Sequence, residues 1–164
     1  MALLVRHAMT EDPQTAQPSS TAEDAARLME GADVGAIPVM DNQQLVGLVT
    51  DRDLVVRVLA KGADPARTQL RDLITPSPVT VSPDTQLADA QQLMSDHQVR
   101  RLPVVKNEEL VGVLSLGDVA VAMSSKRAVG ETLDEISESP STQPDLDQGP
   151  DPGTPEGARS ASRG

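Results

Sequence analysis

The chain has 164 residues, room for one ordinary domain or two very small ones. It holds no Cys, Phe, Tyr or Trp, which excludes disulfides, thiol nucleophiles, Cys-zinc sites and any aromatic platform on which a base could stack. The formal net charge of -11 argues against nucleic acid as a partner, since phosphate backbones are bound by basic, aromatic-lined surfaces.

In chain order, a short extended piece around Thr15 comes first. Ser20 then opens S-T-A-E, a capping box in which Glu23 returns to the cap. Ala22, Ala25, Ala26, Leu28 and Met29 follow at helical spacing, and Gly31 ends the predicted helix. The apolar runs 36–40 and 45–49 flank Asp41-Asn42-Gln43-Gln44 and read as a hairpin. Thr50 starts a second predicted helix over 51–61, closed by Gly62, with Val55, Val58 and Leu59 on its apolar side. The order is then written again. It runs through an extended piece at Thr80, a helix with Leu87, Ala90, Leu93 and Met94 on one face, and runs 101–105 and 110–114 around Lys106-Asn107-Glu108-Glu109. The final segment, residues 131–164, carries 2 basic against 8 acidic residues and many Pro and Gly. It cannot bury enough apolar surface to offset its ordering entropy, so a disordered tail is expected from about Gly130.

At a shift of 65, without a gap, the halves align from Arg6/Arg71 to Val56/Val121. Matches include Thr10/Thr75, Pro13/Pro78, Met29/Met94, Pro38/Pro103, Gly47/Gly112 and Asp53/Asp118. The fold expected is α/β (α+β): two β-α-β-β-α repeats, residues 5–64 and 65–128, packed with pseudo-twofold symmetry, with residues 129–164 as the acidic tail. No apolar run approaches bilayer length, and Met1–Val5 is too short for a signal-peptide core, so a soluble, cytoplasmic protein without membrane partners is expected. His7 and His97 lie in no metal-ligand spacing, and no P-loop, Rossmann fingerprint or nucleophile elbow occurs. No metal site and no catalytic set is therefore expected.

The strands GAIPVM and RRLPVV and the turns GLVTDRD and GVLSLGD resemble a tandem pair of CBS domains, a Bateman module, over roughly Val5 to Lys126. HQVRRLPVV and VTDRDLVVRVLAKGADP are similar to the small stand-alone bacterial proteins of the hypoxic-response type. The resemblance implies a non-enzymatic regulatory module for AMP, ATP or S-adenosylmethionine. Its hydroxyl-x-x-Asp turns would contact ribose, here Thr50 with Asp53 and Ser115 with Asp118. A carboxylate can accept from both ribose hydroxyls, and a helix N-terminus favours anions. The same residues also read as plain N-caps with no ligand. Arg100 and Arg101, implied phosphate partners, have Gly35 and Ala36 as counterparts in the first repeat. The better site is therefore expected at Thr50/Asp53, with adenine among Val34, Ile37, Pro38 and the backbone near Thr15. The Ser115/Asp118 site is expected to be empty or to take a ligand without phosphate. Alternatively, Arg100 and Arg101 form a surface pair with Asp96 or Glu108. Asp51 and Asp53 beside a phosphate favour AMP or S-adenosylmethionine over bare ATP unless Mg²⁺ bridges it. The resemblance further implies a flat homodimer, with Val55, Val58, Leu59, Val119, Val121 and Ala122 as its candidate surface. The competing function is a ligand-free structural or interaction protein acting as a homodimer.

Overall fold

The computed structural model describes residues 2–137, with Ala128 and residues 131–137 described by backbone alone. Its elements are β1 (Thr10–Glu11), α1 (Ala22–Ala32), β2 (Ala36–Asp41), β3 (Gln44–Thr50), α2 (Asp51–Leu54), α3 (Leu87–His97), β4 (Arg101–Lys106), β5 (Glu109–Ser115) and α4 (Leu116–Ser137). They form a mixed helix-and-strand fold built from two repeats, as expected. The sheets are β2-β3 and β1-β5-β4.

The hairpins close alike for a backbone reason. Asn42 and Gln43 have φ of 47° and 70°, and Asn107 and Glu108 have 51° and 67°. Two successive positive φ values make the turn whose twist matches the flanking strands, and Asn tolerates the first position well. Each hairpin also slips register, at Val39/Met40 and at Val104/Val105. There the preceding extended piece joins: Ala16 N–H donates to the Pro38 carbonyl at 3.0 Å, and Met40 N–H to Ala16 at 2.8 Å. Val81, Pro103 and Val105 repeat the pattern at 3.1 and 2.8 Å.

Helix ends depart from the sequence reading. The cap of α1 is Thr21, not Ser20: Thr21 Oγ1 accepts from Asp24 N–H at 3.2 Å and Asp24 Oδ2 from Thr21 N–H at 2.9 Å. The cause is the linker, because Glu23 N–H, which Ser20 would have to receive, donates to the Pro65 carbonyl at 3.1 Å. Gly31 lies within α1, and Asp33 supplies the left-handed cap at φ 53°. The second helix of the first repeat is α-helical only to Leu54 and continues as a π-helical turn at Val55–Leu59, with Gly62 closing it at φ 66°. The tail boundary also moves. Helix α4 runs to Ser137, and no proline follows Leu116 until Pro140 to interrupt it. The rest of the expected tail lies outside the described residues.

The leading segments of the two repeats cross over. Two aliphatic cores exist, one per repeat, and each is closed by the leading segment of the other. Val5 lies with Leu87, Met94, Leu102 and Leu114 of the second repeat. Its counterpart Leu70 lies with Ala25, Ile37 and Val49 of the first. Leu4 bridges Gln86 and Thr21 bridges Gln69, and β1 adds to β5. The crossing segment lies so close on the sheet that a Cβ on Gly47 would come 2.7 Å from Ile74 Cβ. A Cβ on Gly112 would come 2.8 Å from the Thr10 carbonyl oxygen. The repeat at 65 residues is real, but the packed units exchange their first turns. Among the described residues no polar or charged side chain is buried. Met29 and Met94 fill the cores in place of rings, as Met does well.

Candidate functional site

Exchange of the leading segments brings the end of one repeat's hairpin opposite the start of the other's. Two related cavities result. The larger, about 710 Å³, has Thr50 and Asp53 on one side, and Thr75, Pro78, Val99, Arg100 and Arg101 on the other. The smaller, about 350 Å³, has Ser115 and Asp118 opposite Thr10, Pro13, Val34 and Gly35. Most lining residues are counterparts at a shift of 65, while Asp51, Arg52 and Pro103 line the larger cavity without a counterpart in the smaller.

Both acidic turns are closed on themselves. Asp53 Oδ2 accepts from Thr50 N–H at 2.8 Å and from the Thr50 hydroxyl at 2.9 Å, while Asp53 N–H donates back to Thr50 Oγ1 at 3.2 Å. Asp118 Oδ2 accepts from the Ser115 hydroxyl at 2.6 Å, and Asp118 N–H returns to Ser115 Oγ at 3.1 Å. One carboxylate oxygen thus serves the cap. Asp53 Oδ1 stands 3.8 Å from Arg57 Nε, and Arg57 is itself held by the Leu73 carbonyl at 2.7 Å. In α1, Thr21 and Asp24 build the same box outside both cavities. The box alone therefore does not mark a site.

The cavities differ in charge. The larger is lined by Arg52, Arg100 and Arg101 against Asp51 and Asp53. The smaller is lined by Arg101 alone against Asp12, Asp33 and Asp118. Among the described residues Arg100 and Arg101 form no ion pair with Asp96 or Glu108, and Asp96 instead accepts from Gln92 Nε2 at 2.8 Å. Guanidinium groups without an acidic partner suit an incoming anion.

The residues expected to surround adenine are distributed differently. Val34 lines the smaller cavity. Ile37 is buried in the first core, Pro38 is buried in β2, and Thr15 is exposed; none of these three lines either cavity. Their places beside Thr50 and Asp53 are taken by counterparts from the second repeat, Val99 and Pro103, and by the Thr75–Val79 loop. The signal was the arginine pair itself, since Val99 adjoins Arg100 in the chain and must travel with it. His97, expected only as a helix-end residue, does end α3 and also lines the larger cavity. Among the described residues no group of three His, Asp or Glu side chains is placed to hold a metal ion, and no helix is long and apolar enough to cross a membrane.

Comparison with known proteins agrees with this architecture. A family model described as CBS domain matches residues 5–60 and 70–125. The chain is 41% identical over 133 residues to the CBS domain-containing protein YhcV of Bacillus subtilis, covering 81% of this chain and 94% of that protein. It is 37% identical over 97 residues to Hypoxic response protein 1 of Mycobacterium tuberculosis, covering 58% and 68%. A crystal structure of CBSX2 in complex with AMP superposes with a TM-score of 0.64 at 32% identity, covering 76% of this chain and 98% of that one.

Proposed function

The chain belongs to the CBS-domain family, and from that premise we propose that it is a non-enzymatic regulatory module for an adenosine-containing ligand, bound in the clefts between its repeats. Related folds supply the ligand class, since CBSX2 is known in complex with AMP. The observation that carries the reading is the larger cavity, where the Thr50/Asp53 turn faces two arginines that form no ion pair among the described residues. In this reading Asp53 Oδ1, the oxygen not used by the cap, accepts from the ribose hydroxyls. Val99 and Pro103 flank the adenine, and Arg100 and Arg101 hold the phosphate in charge-assisted hydrogen bonds. Asp51 and Asp53 beside the arginines favour one phosphate over a bare polyphosphate, so AMP ranks above ATP there. The smaller cavity, with three carboxylates around Ser115 and Asp118, suits adenosine without phosphate or S-adenosylmethionine. Calorimetric titration with AMP, ATP and S-adenosylmethionine tests the reading. AMP binding that is present in the wild-type chain and weaker in Arg100→Ala supports it; a folded chain giving no heat with any of the three at millimolar concentration removes it.

A second reading is favoured by a separate observation. Val55, Val56 and Leu59 on the π-helical turn and Val121 on α4 are exposed, and Val56 and Val121 are counterparts in the two repeats. This supports a homodimer joined through these helices, which acts with or without ligand. Val58 and Val119, also expected on that surface, are buried and serve the two cores.

A further inference from the structure

Arg101 is the one arginine that lines both cavities. It holds the first position of β4, and its counterpart is Ala36, the first position of β2. The second repeat therefore projects a guanidinium where the first has a methyl group. The guanidinium lies across Gly35: a Cβ there would overlap Arg101 Nη2 and stand 3.1 Å from its Cζ. The same point is 2.9 Å from Asp51 Oδ2, which lines the larger cavity. Gly35 is thus the seat on which Arg101 crosses from one cavity to the other. Among the described residues Arg101 forms no ion pair or hydrogen bond that would fix it on either side.

A guanidinium presents one planar fork and can grip one phosphate bidentately at a time. Resting on the nucleotide reading above, we infer that Arg101 is a shared cation that sets the specificity of both cavities. Committed to a phosphate in the larger cavity, it leaves the smaller one with Asp12, Asp33 and Asp118 and no arginine. The chain then takes one phosphate-bearing ligand and one uncharged or cationic adenosine compound, and each strengthens the other. Reciprocity follows from linkage, because both ligands favour the same position of Arg101.

Calorimetry tests this with AMP as the anionic probe and S-adenosylmethionine as the cationic one. In the wild-type chain, saturating AMP is expected to tighten the second ligand roughly tenfold, the scale of one charge-assisted hydrogen-bonded pair. Arg101→Ala is expected to abolish that coupling. Arg100→Ala weakens AMP but leaves the coupling in place once AMP is saturating. Gly35→Ala is the second variant: its methyl displaces the guanidinium without removing the charge, so AMP still binds while coupling is lost. Thermal unfolding of each variant separates a folding defect from a lost effect. Two AMP molecules bound per chain with equal affinity, or coupling that survives in Arg101→Ala, would overturn the shared cation and leave nucleotide binding standing. A folded chain that binds none of the adenosine compounds overturns both.

Discussion

Thr21–Asp24, Thr50–Asp53 and Ser115–Asp118 are three copies of one device, a hydroxyl cap answered by a carboxylate three residues on. Their shared geometry allows structure and ligand binding to be separated. Asp24→Ala and Asp53→Ala are each expected to lower stability modestly, through loss of the carboxylate half of a capping box. Only Asp53→Ala is expected to remove AMP binding, as urea unfolding followed by calorimetry would read; equal ligand affinity in the two variants would reduce the Asp53 turn to a cap. Asp24 also gives a pH signature. The Thr21 backbone N–H first, and then the Thr21 hydroxyl, hold its carboxyl below the usual carboxylate range. A lowered folded pKa gives stability that is present above the unfolded value, about 3.9, and is lost as pH falls through the folded one. The stability difference between wild type and Asp24→Asn should therefore shrink on acidification below pH about 4, and an NMR titration of the Asp24 carboxyl should show the low midpoint. At this scale the sequence was legible in residue type and vague in partner. It marked a cap near Ser20 but could not see the Pro65 carbonyl taking Glu23 N–H. It named the apolar kinds that suit an adenine, Val and Pro, and chose Val34 and Pro38 over the counterparts Val99 and Pro103 that stand beside Thr50.

Elements were readable because their signals are local. Short apolar runs around the polar turns at Asn42 and Asn107 marked both hairpins, and the helical faces at Met29 and Met94 marked α1 and α3. Which repeat each element closes is not local, and a perfect 65-residue periodicity hides it, since Val5 fits either core as well as Leu70 does. The exchange of leading segments has a direct test. Leu70→Ala removes a fully buried side chain from the first core and should cost about 3 kcal/mol, seen as a lower urea midpoint at an unchanged slope. Deleting residues 1–9 should expose the second core instead: amide exchange should quicken in α3, β4 and β5 while β2 and β3 keep their protection. Faster exchange confined to β2 and β3 would mean that each repeat closes itself. Gly47→Ala is expected to destabilise at the same crossing, because its methyl meets Ile74 at 2.7 Å and strand backbone leaves little room to yield.

For the whole molecule, the question is how a small, strongly acidic chain associates. Leu59 is 67% exposed and Val121 is 68% exposed, and with Val55 and Val56 they are among the large apolar groups left uncovered on the second helices of the two repeats, as are Leu116, Met123 and Val129. Burying such a surface in a second copy is favourable in proportion to its apolar area. Opposing it is the formal charge of -11 on each copy, and that repulsion is screened within a Debye length of about 10 Å at 0.1 M salt but about 30 Å at 0.01 M. Apolar attraction is little changed over that range, so the balance moves one way: the dimer should tighten as salt rises from about 0.01 to 0.1 M, the reverse of an association held by opposite charges. Light scattering coupled to size exclusion at the two salt concentrations reads this directly. Leu59→Lys with Val121→Lys should leave a monomer at both salt concentrations that still binds AMP, since neither residue lines the larger cavity. The helix also links the two properties. Asp51, Arg52 and Asp53 line that cavity, and Val55, Val56 and Leu59 follow within two turns. A ligand that draws on Asp53 therefore acts at the N-terminus of the segment that carries the association surface. A chain that stays monomeric at every salt concentration, with or without AMP, would leave those exposed valines and Leu59 without a partner of their own kind.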